Sequence, residues 1–211
     1  MKIYAIPGLG ADKRVFEYLH LDYELVALEW IQPQKRENLK NYALRLAKSI
    51  DTSEPYGILG VSFGGMIAVE IAKVYNPKMT ILLSTAETHK ELRWIYRTIG
   101  KINLLYLLPK ASFNISISIA WVLFGTKHPI LKQILDDTDS AFAKWAAIAI
   151  SKWKNHDRLD NCLKISGAKD KILPPKHPDI LLIPDAQHFM IVDKAVEISA
   201  LINSNVAKKL R

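Results

Sequence analysis

Tyr56-Gly57-Ile58-Leu59-Gly60-Val61-Ser62-Phe63-Gly64-Gly65 decides how this chain is read. Its first six residues form an apolar run of the length of a buried strand. From Phe63 onward, Met66, Ile67, Val69, Ile71, Ala72 and Tyr75 recur at helical spacing until Asn76-Pro77 ends the pattern. A serine between two glycines, with strand before and helix after, is the setting of a G-x-S-x-G turn. The strained backbone of such a turn admits only very small residues two positions to either side, a need that Gly60 and Gly64 meet. The turn also sets the serine oxygen at the positive end of the following helix, which favours an anion there.

Working outward, strand and helix patterns alternate, which predicts an α/β fold with a mostly parallel sheet of about six strands. Strands are expected at Ile3–Ile6, Tyr23–Trp30, Tyr56–Val61, Met79–Ser84, Leu163–Ser166 and Ile180–Ile183. A short helix is expected over Asp12–Leu19, capped by Asp12. Amphipathic helices are expected over Asn38–Ile50 and Ile191–Leu210. Residues 87–160 interrupt this rhythm with four helical stretches, about 88–107, 111–124, 128–137 and 139–153. The expected organisation is therefore a core of residues 1–86 and 161–211 with a helical insertion, 87–160, between the fourth and fifth strands. The insertion holds four of the five tryptophans (Trp94, Trp121, Trp145, Trp153), most expected simply to pack it together, the alternative being that one or two line a pocket.

Composition narrows the classes. A chain of 211 residues suits one domain with an inserted subdomain. The net charge of +8 comes from scattered lysines and arginines rather than dense clusters, so no nucleic-acid partner is expected. Cys162 is the single cysteine and no Cys/His spacing resembles a zinc site, so neither a disulfide nor a metal is expected. Cys162 precedes an apolar strand and reads as buried and inert. The longest charge-free run, Ala111 to Thr126, is too short to span a bilayer and carries several polar residues. The chain opens directly on a strand without a signal-peptide pattern, and the expectation is a cytoplasmic protein with no membrane span.

A serine becomes a nucleophile when a base stands within hydrogen-bond reach and an acid orients that base. Among six histidines, His188 alone follows a strand end and precedes the final helix, which places it on the same sheet edge as Ser62, although His89, at the start of the insertion, could also face the cleft. Asp170 stands just beyond another strand end, after the Gly167 turn. Asp185 and Asp193 are the rival acids, but Asp185 shares a loop with His188 and Asp193 lies in the last helix.

The order Ser62, Asp170, His188 is similar to that of the α/β-hydrolase superfamily. The chain resembles a small member of it over essentially its whole length. Pro7-Gly8-Leu9-Gly10-Ala11-Asp12 resembles the family's oxyanion loop, although Pro7 stands where a histidine is common. Residues 87–160 resemble its helical cap, and Gly167–Pro174 its acid-bearing turn. The resemblance implies a serine hydrolase acting on a small-molecule carboxylic ester or thioester without cofactor or metal. Ser62 would be the nucleophile, His188 the general base and acid, and Asp170 its orienting partner. The backbone N–H groups of Leu9 and Phe63 would form the oxyanion hole. Gly8, Phe16, Phe63, Phe189 and Met190 would border the substrate, and Arg93, Arg97 and Lys101 would meet any anionic portion. Acyl transfer, lyase or perhydrolase chemistry on the same fold, and a non-catalytic ligand-binding protein, are the alternative readings. The short connection from Asp170 to the last strand implies that the helix usual there is missing or reduced to a turn. Oligomeric state is not legible.

Overall fold

The computed structural model describes residues 1–209. Six strands, β1 (Lys2–Ile6), β2 (Glu24–Ala27), β3 (Tyr56–Val61), β4 (Met79–Leu83), β5 (Cys162–Gly167) and β6 (Leu181–Ile183), form one sheet in the order β2-β1-β3-β4-β5-β6. Every neighbouring pair is parallel. Parallel strands buried on both faces read as continuous apolar runs, as the central β3 and β4 do. Successive residues still serve opposite layers. Ile58 packs on the side of α1 (Leu39–Leu46) and α2 (Phe63–Tyr75), whereas Leu59 and Val61 pack toward α9 (Ala195–Lys209).

The chain turns outward from β1 to β2 and then returns to place β3 on the other side of β1. The crevice beyond the carboxyl ends of β1 and β3 is therefore a topological switch point, where ligands collect in open α/β sheets. Ser62 stands at the end of β3 and Leu9 just past the end of β1.

Between β4 and β5 the described chain is helical: a 3₁₀ turn (His89–Glu91), α3 (Trp94–Lys101), α4 (Leu104–Leu107), a second 3₁₀ turn (Lys110–Phe113), α5 (Ile117–Phe124), α6 (Pro129–Asp136) and α7 (Ser140–Lys152). The single helix expected over 88–107 is thus three pieces. Asn103, in the left-handed region at φ 57°, breaks α3 from α4. Phe142, Ala146, Ala149 and Trp153 of the α7 region share one apolar cluster with Tyr42 and Phe63 of the sheet-flanking layers. The Trp145 indole donates to the Glu37 carbonyl at 2.9 Å, and that of Trp153 to the buried Glu70 carboxylate at 2.7 Å.

Smaller differences have local causes. The expected helix at 12–19 is only a 3₁₀ turn, Lys13–Phe16, capped by Asp12, which accepts from the Arg14 amide. The C-terminal helix is split, α8 (Met190–Asp193) being followed by α9, and Leu210 lies outside the described residues. Residues 168–180 contain no helix, so β5 connects to β6 by turns alone, as the short spacing predicts. Cys162 is half-buried, and burial pushes its thiol up to about 12. With almost no thiolate at pH 8, Cys162 is expected to react with an aromatic disulfide reagent only once the chain is unfolded in urea, as absorbance would record.

Candidate active site

The turn after β3 is built by exclusion. Ser62 has φ 51° and ψ −117°, outside the helical and extended regions, and caps the N-terminus of α2. A Cβ on Gly60 would come to 2.5 Å from the Gly64 carbonyl oxygen and the Gly65 Cα, and one on Gly64 would strike the Ile6 and Pro7 carbonyls. A side chain at Gly60 would push α2 away from β3, and one at Gly64 would push β1 away from the turn. Gly65 leaves room for Thr85, whose hydroxyl donates to the Ser62 carbonyl. The Ser62 amide donates to the Leu83 carbonyl at 2.9 Å, which ties the strained residue to β4. Thr85, the clamp after β4, carries no sequence motif.

The residues that sequence order picks out stand in series. His188 Nε2 is 2.9 Å from Ser62 Oγ, and His188 Nδ1 is 2.8 Å from Asp170 Oδ2. Asp170 and His188 are both buried, so each relies on its partners in place of water. The other Asp170 oxygen accepts the amides of Ile172 at 2.8 Å and Leu173 at 2.9 Å. Two backbone donors therefore fix the carboxylate before it meets the imidazole. The His188 loop is held by the Phe189 amide, which donates to the Phe124 carbonyl at 3.2 Å, and the Phe124 ring stands edge-on to the imidazole at 5.5 Å. Asp185 pairs instead with Lys169 at the surface, and Asp193 accepts from Thr126. A histidine between a carboxylate and a hydroxyl can take the hydroxyl proton and hold the resulting charge.

Gly8 lies against the serine: a Cβ there would be 3.5 Å from Ser62 Cβ. The Leu9 and Phe63 amides, one in the β1 loop and one at the first turn of α2, have no acceptor among the described residues. The Thr138 hydroxyl, which donates to the Ile134 carbonyl at 2.7 Å, lies 3.3 Å from the Gly10 carbonyl, and Gly10 (φ 75°) has no room for a Cβ beside it.

Ser62 and His188 open into a cavity of about 470 Å³. Tyr96, Ile99, Leu105, Leu123, Phe124 and Ile150 bring walls from the helical segment; Leu9, Phe63, Leu173 and Phe189 bring them from the sheet side. Thr138 and Ser151 are the other hydroxyl-bearing aliphatic side chains on the wall, and among the described residues no carboxylate, lysine or arginine lines it. This corrects several expectations. Arg93, Arg97 and Lys101 do not reach the cavity, and among the described residues no tryptophan lines it, in keeping with the reading that the tryptophans pack the insertion. Phe16 and Met190 are buried in the core on the α9 side of the sheet, while their neighbours Val15 and Ile191 form wall. The wall residues of α3 to α5 were not singled out from sequence, because a helix apolar on several faces does not announce which one is inward.

No family model matches this chain, and no curated protein does. Solved structures do. A thermophilic esterase from Thermogutta terrifontis superposes with TM-score 0.71 at 16% identity over 99% of this chain and 90% of its own. The RedJ thioesterase of the prodiginine biosynthetic pathway in Streptomyces coelicolor gives 0.69 at 15% identity over 97% and 89%. A lipase-esterase related protein from Clostridium acetobutylicum gives 0.71 at 16% identity over 96% and 93%. The chain has the α/β-hydrolase fold. At these identities the likeness is one of architecture, so the chemistry has to be argued from the site.

Proposed function

We propose that this chain is a serine hydrolase that cleaves a carboxylic ester or thioester with an apolar acyl portion, and that residues 87–160 act as its cap. The observation that carries the reading is the hydrogen-bonded series Ser62–His188–Asp170 opening into an apolar cavity. Ser62 Oγ attacks the acyl carbon as its proton passes to His188 Nε2, while Asp170 stabilises the imidazolium. The carbonyl oxygen becomes an oxyanion that accepts from the Leu9 and Phe63 amides. Removing one such donor typically costs about 2.7–4 kcal/mol of transition-state stabilisation. The carbon–oxygen or carbon–sulfur bond then breaks, and the leaving group departs with the proton from His188. Water, deprotonated by His188, attacks the acyl-enzyme and releases the acid and free Ser62. Every step is met by groups of this chain. The apolar wall favours a hydrocarbon acyl group through burial, at roughly 25 cal/mol per Å². With no carboxylate, lysine or arginine on the wall among the described residues, an ionised substrate head would be left unpaired inside.

A fluorophosphonate probe tests the reading. It should label Ser62, located by mass spectrometry, and labelling should vanish in folded Ser62→Ala and His188→Ala proteins. A folded wild type that stays unlabelled, and leaves chromogenic esters of several chain lengths intact, would point instead to a ligand-binding protein.

A further inference from the structure

The helices that wall the cavity are apolar on their outer side as well. On α3, Trp94 is 69% exposed, with Ile95 beside it. Around α4, Ile102 is 63% and Leu107 82% exposed. On α5, Val122 is 61% exposed and is flanked by exposed Ile119 and Trp121. A helix apolar all round is ordinarily buried or in contact with lipid. Here α5 buries Ala120, turns Leu123 and Phe124 to the cavity, and still presents Ile119 and Val122 outward.

Charge on this surface has one sign. From Leu92 to Leu135 there is no Asp or Glu, while the exposed Arg93, Lys101, Lys110, Lys127 and Lys132 and the half-buried Arg97 fall within the stretch. Lys132 pairs with Asp136; the other five form no salt bridge among the described residues. Lys171 joins the outer ends of α3 and α5. Its ammonium lies 3.4 Å from the Val122 carbonyl, and its own carbonyl accepts from Arg93 Nη1 at 2.6 Å. Cations also stand over the aromatic rings: Lys127 is 5.9 Å from the Trp121 ring centre and Lys152 4.5 Å from that of Tyr106. Exposed aliphatic side chains, tryptophan and tyrosine with lysines beside them, and no acid form the pattern of a surface lying in a lipid headgroup layer.

We propose that the outer face of α3, α4 and α5 docks on an anionic lipid bilayer. The occupant is argued from charge complementarity. A second copy seated face to face would set the same uncompensated cations against each other. An acidic protein would pair the cations but has no need of so many protruding aliphatic side chains. The helices have eight, four and eight residues, so they lie on the surface and cannot span it. Docking in this way puts the outer ends of the cavity-lining helices next to the acyl chains. It rests on the surface alone, not on Ser62.

Flotation with vesicles tests it. The protein should float with phosphatidylcholine vesicles containing phosphatidylglycerol and at least tenfold less with phosphatidylcholine alone, and added salt should weaken the binding. Replacing both Leu107 and Val122 by aspartate removes only exposed side chains, so near-ultraviolet circular dichroism should stay native while flotation falls at least tenfold. Lys101→Glu should lower the partition coefficient by about fivefold or more, given the usual contribution of one basic residue at an anionic membrane. Ser62→Ala should float like wild type, which separates this proposal from the catalytic one. Absence of flotation overturns the proposal, as does equal flotation of the folded double variant. So does a dimer in sedimentation equilibrium that the double aspartate variant dissolves, with no vesicle binding by wild type.

Discussion

Asp170→Asn is expected to lower kcat on a chromogenic ester by about 10⁴-fold while leaving the chain folded. The geometry dictates the sign. One Asp170 oxygen accepts the Ile172 and Leu173 amides, so an asparagine keeps its carbonyl oxygen there and presents its NH₂ where the other oxygen was, 2.8 Å from His188 Nδ1. That NH₂ donates, which obliges Nδ1 to accept and moves the imidazole proton to Nε2. The proton then points at Ser62 Oγ, 2.9 Å away, and the ring can no longer accept one from it. Steady-state kinetics and the fluorophosphonate labelling rate should fall together. A folded variant that keeps more than a tenth of the wild-type rate would remove Asp170 from its assigned role.

Gly64→Val should have the largest effect on stability, a loss of at least about 3 kcal/mol, at the upper end of what overpacking costs. The new Cβ meets the Ile6 and Pro7 carbonyls, which are backbone, so no side chain can move aside. Those carbonyls end β1 and lead to Gly8 and Leu9, so Gly64→Ala, with the same Cβ and no further methyls, should retain the fold better than it retains turnover. Gly57→Ala is the control. It lies in β3, the strand that leads into the turn, but its Cβ would sit 3.4 Å from Ile3 Cγ1, so its midpoint in urea should stay much nearer wild type. Similar urea midpoints for Gly57→Ala and Gly64→Val would contradict the steric account.

The parts of this architecture legible from sequence are those where backbone chemistry narrows the choice of residue. The glycines around Ser62 are legible because adjacent carbonyls leave no room for a Cβ. The alternating strands are legible because β3 and β4 are apolar but for Thr80, and the helix-free stretch after Asp170 because too few residues separate it from β6. Asp170 and His188 stand out because each follows a strand at the edge where Ser62 lies, and the structure hydrogen-bonds them in that order. What sequence obscures is the direction in which a side chain of an apolar helix points. Phe16 and Val15 are both apolar and adjacent in a 3₁₀ turn, yet only Val15 reaches the cavity. The break at Asn103 is equally hidden, since asparagine tolerates both the helical and the left-handed conformation and only the packing of α3 and α4 selects the second.

The serine and its base lie far apart along the chain, Ser62 in the first third and His188 close to the end, with the whole helical segment between them. During synthesis β1 to β4 can pair with the elbow already formed, because no later strand lies among them. Yet a chain halted anywhere before residue 188 has nothing to take the proton from Ser62. On the proposed mechanism the nascent protein is chemically silent until its last strand has joined the sheet. Acquisition of probe reactivity would then time the completion of folding rather than its onset.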